Sequence, residues 1–64
     1  MEVIEFDSAE AMEAFRRTLK EDGEIQRIIT WKGDEYDEYK LNGKRYTVRR
    51  RLGKVLEILR ESGR

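Results

Sequence analysis

From residue 23 onward glycine recurs at every tenth position, at residues 23, 33, 43, 53 and 63, and nowhere else in the 64 residues. Glycine takes positive φ at little cost, so it collects where a chain turns or an element stops. The segments between the glycines do not resemble one another, so the spacing reads as punctuation rather than as an internal repeat, with one element ending at each.

Ahead of Gly23 the chain reads as a strand and then a helix. Glu2 to Asp7 alternates, with Ile4 and Phe6 on one face and Glu5 and Asp7 on the other, which predicts a half-buried strand with Val3 on its polar side. Asp7-Ser8-Ala9-Glu10 has the form of a capping box with Asp7 as N-cap, and Ser8 is the alternative cap. Met12, Phe15 and Leu19 then recur at i, i+3 and i+7, predicting a helix over about residues 8–22 that Gly23 closes in the left-handed position.

Two hairpins follow. Residues 24–32 are rich in β-branched side chains, and Lys32-Gly33-Asp34-Glu35 offers a two-residue turn with glycine first. Asn42-Gly43 is the strongest short hairpin signal in the chain, and counting outward from it pairs Tyr39 with Tyr46 and Leu41 with Lys44 and puts Val48 on the tyrosine face. Counting outward from Gly33-Asp34 pairs Trp31 with Tyr36, and a regular strand would then put Tyr36 and Tyr39 on opposite faces. Either a bulge near Asp37-Glu38 turns both tyrosines and Trp31 inward, or Trp31 and Tyr36 form an exposed aromatic pair. The bulge is the more economical reading, because it also accounts for consecutive Ile28-Ile29 and curves the sheet.

Leu52, Val55, Leu56 and Leu59 have i, i+3, i+4, i+7 spacing and predict a short second helix, starting near Gly53 and stopping at Ser62-Gly63. Arg49, Arg50 and Arg51 are placed in the preceding strand, since a helix dipole repels cations in its first turn. The expected fold is therefore α+β, β-α-β-β-β-α, a four-stranded, mixed, curved sheet with two helices packed on one face of a single domain spanning 1–64. A βαβ connection makes the first strand parallel to the second. Charge favours seating it beside the fourth instead, with Glu2, Glu5 and Asp7 facing Arg45, Arg49 and Arg51.

The same residues narrow the function. A chain this short buries only about 60% of its unfolded surface, and its roughly 20 large apolar side chains leave few to spare for walling a ligand pocket. There is no Cys and no His, which removes disulfides, thiolate-held zinc and the commonest catalytic base. Ser8 and Ser62 sit at helix ends with no base to activate them, so no catalytic residue, cofactor or metal is expected. The acidic run Asp34, Glu35, Asp37 and Glu38 reads as a solvated turn rather than a cation site, because alternate residues of a hairpin diverge.

Charge is uneven along the chain but sums to zero: 8 acids and 3 bases over residues 1–24, 4 and 3 over 25–43, and 2 and 8 over 44–64. The basic segment around Arg49–Arg51 is the one feature that suggests nucleic acid. Strand alternation splits its arginines between faces, and no net field steers a polyanion, so no nucleic-acid partner is expected. No apolar run reaches 18 residues and the N-terminus lacks a signal-peptide pattern, so neither membrane insertion nor export is expected, and cytoplasmic expression is. A monomer needing no partner is the expectation if Trp31 is inward. If Trp31 and Tyr36 are exposed, a protein-binding surface becomes the better reading, with Arg49 and Arg51 as further interface candidates.

From Leu19-Lys20-Glu21-Asp22-Gly23 through three strands to Ile58-Leu59-Arg60-Glu61-Ser62-Gly63, the chain resembles the α-β-β-β-α core of HicA-type toxin ribonucleases and of double-stranded-RNA-binding domains. The toxin family's catalytic histidine follows a Gly-Ser, where this chain has Gly33-Asp34-Glu35, and the RNA-binding domains open their last helix with a lysine pair, where Gly53-Lys54-Val55-Leu56 has one lysine. Neither activity is carried over. Minimal hairpin turns, a capped helix and polar positions filled with Glu, Arg and Lys, without Pro, Cys or His, more closely resemble de novo designed α+β miniproteins. That resemblance implies a thermostable, monomeric structural scaffold with no natural biochemical function. A composition with 44% charged residues also suits a hyperthermophile protein.

Overall fold

Three two-residue turns organise the molecule. At Lys32-Gly33, Asn42-Gly43 and Leu52-Gly53 both residues hold positive φ (54° and 83°, 53° and 78°, 52° and 81°), the signature of the type I′ turn. In the computed structural model, which describes residues 1–62, they join four long strands into a meander: β2 (Glu24–Trp31), β3 (Asp34–Leu41), β4 (Lys44–Arg51) and β5 (Lys54–Arg60). A two-residue strand β1 (Glu2–Val3) and the helix α1 (Ala9–Asp22) precede them. The sheet is antiparallel throughout, in the order β1-β5-β4-β3-β2.

This corrects the expected fold: among the described residues there are five strands and one helix, not four strands and two helices, and the sheet is not mixed. The segment read as a second helix is β5. Leu52, Val55, Leu56 and Leu59 do not share a face: Leu52 is in the turn, Leu59 is on the side away from α1, and a bulge leaves Leu56 unpaired between Arg49↔Glu57 and Arg50↔Val55. The extra residue brings Val55 and Ile58, three apart, to the same face, and both are buried. A bulged strand thus imitates the i, i+3 period of a helix. With the last helix gone, the likeness to the α-β-β-β-α families goes too. Gly63, expected to end that element, lies outside the described residues.

An interior β5 also moves β1. The first strand pairs with β5, Glu2↔Arg60 and Val3↔Leu59, rather than with β2 or β4, and Ile4 continues the contact by donating its N–H to the Ile58 carbonyl at 2.9 Å. It is shorter than the expected 2–7, although Ile4 and Phe6 still pack on the core. Since β1 and β2 are opposite edges of the sheet, α1 carries the chain across it. Fourteen helical residues span about 21 Å, enough to cross five strands at about 4.8 Å spacing.

Ser8, not Asp7, caps the helix, its hydroxyl accepting from the Ala11 N–H at 3.1 Å. Gly23 is not left-handed (φ −89°, ψ 175°). It is glycine because a Cβ there would lie 2.5 Å from the Leu19 carbonyl oxygen. Between α1 and the sheet lie Leu19, Tyr39, Tyr46, Val48, Val55 and Ile58, with Met12, Phe15 and Leu41 at the margin. The pairing Tyr39↔Tyr46 has the expected register, and Phe15 meets Tyr46 edge-on at 5.3 Å between ring centres.

Leu52 distinguishes the two readings of residues 52–60. In a helix it would open the buried stripe. In the turn it is 96% exposed and strained at φ 52°. Leu52→Asn should therefore raise stability by about 0.5–1 kcal/mol, since Asn tolerates the left-handed region. Ile58→Ala, in the core, should cost about 2–5 kcal/mol. Urea unfolding checks both, and a loss of that larger size at Leu52 would restore the helix.

Candidate functional site

Strand alternation gives the sheet a second face, on which no element packs among the described residues. The register places Arg27, Ile29 and Trp31 of β2, Asp34, Tyr36 and Glu38 of β3, Thr47, Arg49 and Arg51 of β4 and Glu57 and Leu59 of β5 there. The first turn is one residue earlier than expected, at Lys32-Gly33. Trp31 consequently pairs with Asp34, and Tyr36 with Ile29.

No register break falls at Asp37-Glu38, so the expected bulge that turns Tyr36 and Trp31 inward is not there. The irregularity of this hairpin is at Gln26, between Ile25↔Tyr39 and Arg27↔Glu38. Tyr39 is buried under α1, and Tyr36 stands half-buried on the open face. Trp31 is 59% exposed, with the Lys32 ammonium 4.5 Å from its ring centre.

The acidic run is not a solvated turn either. Asp34 and Asp37 are each only 3% exposed and hold the arginine run between them. On the open face Asp34 accepts from Arg51 Nε at 2.6 Å, Arg51 Nη2 at 3.2 Å and Arg49 Nε at 2.8 Å, while Arg49 Nη1 lies 3.4 Å from Glu57. On the helix face Arg50 donates to both oxygens of Asp37, at 2.6 and 2.9 Å, and lies 3.0 Å from Glu35. Of the arginines expected to face β1, Arg49 and Arg51 are thus bound by β3 and β5 and Arg45 lies by Glu61, while Glu2 of β1 pairs with Arg60. The hydrogen bonds from Arg51 and Arg49 hold the Asp34 carboxyl below its ordinary range against the opposing effect of burial, and Asp34 in turn raises both arginines.

At the other end of the open face a depression of about 380 Å³ is lined by residues that include Arg27, Glu38, Arg45, Thr47 and Glu61. Its charges are matched, Arg27 to Glu38 at 2.8 Å and Arg45 to Glu61 at 4.0 Å. Thr47 stands across from Glu38, whose carboxylate is taken up by Arg27. Among the described residues no group of three acids could hold a metal ion, and no helix is long and apolar enough to cross a membrane.

Among the described residues no strand lies on the outer side of β2. Ile25 and Ile28, on the helix side, are 50% and 61% exposed, and Trp31 opens to solvent on the other. Of the expected interface residues the structure brings Trp31, Tyr36, Arg49 and Arg51 to one face, with both arginines committed to Asp34. Ile25 and Ile28 join Trp31 along the same edge from the helix side, and the sequence reading does not include them, because their exposure follows from β2 being an edge. Comparison with family models, curated protein sequences and solved structures finds no match to this chain.

The Asp34 cluster makes a pH prediction. A carboxyl whose folded pKa lies below its unfolded one, about 3.9, contributes stability that is complete above the unfolded value and is lost as pH falls through the folded value. Asp34→Asn should lower the urea midpoint at neutral pH and reduce its further fall as pH drops below the ordinary carboxylate range. Parallel acid limbs for the two proteins would show that Asp34 does not carry this dependence.

Proposed function

We propose that this chain is a small, non-catalytic protein-binding module whose binding surface is strand β2 with the adjoining aromatic part of the open face. The observation that carries the reading is the exposure of Trp31 at the end of an eight-residue edge strand that also exposes Ile25 and Ile28. Tryptophan and tyrosine are typical anchors of protein interfaces, and an unpaired sheet edge is the site where an extended segment adds as a further strand.

The alternatives draw less support from the geometry. For nucleic acid, Arg49 and Arg51 converge on one aspartate, and Arg50 is on the opposite face with two acids. A scaffold with no partner is supported by the regular meander of seven- and eight-residue strands and type I′ turns, which also suits a designed origin. It leaves the open apolar edge without a role, and edges of that kind are ordinarily blunted.

The wild-type protein, used as bait against a display library of extended ten-residue peptides, should enrich sequences that Trp31→Ala does not recover. The variant should stay within about 1 kcal/mol of wild-type stability, because the side chain is mostly exposed. Failure to enrich any peptide would favour the bare scaffold. A loss of about 3–5 kcal/mol in the variant would mean that Trp31 is a core residue.

A further inference from the structure

The outer edge of β2 can be read residue by residue. A two-residue turn makes its flanking residues, Trp31 and Asp34, a hydrogen-bonded pair, and bonded and non-bonded pairs then alternate along an antiparallel ladder. The backbone groups of Trp31, Ile29 and Arg27 accordingly point toward β3, and those of Thr30 and Ile28 point outward. The bulge at Gln26 ends the regular stretch. A partner strand therefore meets a straight edge of five residues, Arg27 to Trp31, with its bonding groups at Ile28 and Thr30.

Resting on the reading of β2 as a binding surface, we infer that the partner fitting this edge is a second copy of the chain, paired β2 to β2 and antiparallel about a two-fold axis at Ile29. The regular stretch is odd in length and centred on Ile29, so a two-fold axis there uses all of it. Both outward-bonding residues are then matched, Ile28 of each copy exchanging its backbone bonds with Thr30 of the other.

Side chains agree with the same register. On the open face Arg27 comes opposite the second copy's Trp31, an arrangement of cation and aromatic ring, and Ile29 meets its own image. On the helix face Ile28 meets Thr30. No position sets like charges opposite each other, whereas a shift of the axis to Arg27 would oppose two arginines. On the other edge β1 is two residues long, and the part of β5 that it leaves uncovered, 54–57, is broken by the bulge at Leu56. The contact joins two five-strand sheets into one of ten strands. It falls in the small, transient class of interfaces, so the dimer forms on concentration rather than permanently.

Sedimentation equilibrium across about 10 µM to 1 mM should show the mass rising from 7.7 kDa toward twice that value. Thr30→Pro removes an outward N–H and should weaken association by about tenfold or more without disturbing the β3 ladder. Ile28→Lys, at a mostly exposed position, should do the same, and it decides the question if the proline variant does not fold. Adding Thr30→Glu to Ile28→Lys sets opposite charges across the axis and should restore the dimer. A wild-type protein that stays monomeric at 1 mM, or a dimer indifferent to Ile28→Lys, overturns the inference. If the protein is monomeric while the peptide library still enriches against β2, this inference alone fails; if neither binding is seen, the binding-module reading fails with it.

Discussion

A type I′ turn twists its two strands in the sense a sheet already prefers, and this chain makes three in succession, ten residues apart. Each leaves eight residues for the strand between turns, and each fixes the register of the next pair. Everything else is a consequence. Four strands in meander leave β2 at one edge and β5 at the other. The N-terminal segment reaches only the β5 edge, and α1 crosses back over the sheet to begin β2. Had residues 54–60 been a helix, β1 would have been free to pair with β4 or β2. As a strand, β5 separates β1 from both.

The arginine run illustrates how the register settles electrostatics. Because consecutive strand residues face opposite ways, Arg49 and Arg51 fall to Asp34 and Arg50 to Asp37, so one basic run and two buried acids satisfy each other on both faces. Groups this enclosed are tolerated only with hydrogen-bonded partners, and truncating one member would leave the others uncompensated. The pairing ties β3 to β4 close to the turns. It also consumes the charges that would otherwise have made the open face a polyanion site.

Much of this was legible from particular residues. Asn42-Gly43 gave the Tyr39↔Tyr46 pairing, and Met12, Phe15 and Leu19 gave the helix and the face it buries. The third turn was hidden because Leu52, a bulky residue, occupies a left-handed position that local chemistry reserves for Asn, Asp or Gly. Lys32 hid the first turn by the same substitution, which displaced the expected register by one residue and changed the neighbours of Trp31 and Tyr36. Bulges at Gln26 and Leu56 then replaced the two-residue alternation by i, i+3 spacing, and in β5 that spacing imitates a helix. The even glycine interval was the signal available, and it was the repetition of turns, not of segment sequences, that it recorded. The exposed edge could not be found from β2 alone, since exposure there depends on which strand lies beside it.

Strand β2 is paired along one side only, and backbone amide exchange followed by NMR in dilute, monomeric protein tests this most directly. The amides of Ile29 and Trp31, bonded to β3, should exchange slowly, while those of Ile28 and Thr30 between them exchange at rates close to those of an unstructured chain. Uniform protection along β2 would show a strand paired on both sides, as beside β1, and would contradict both the meander and the binding edge derived from it.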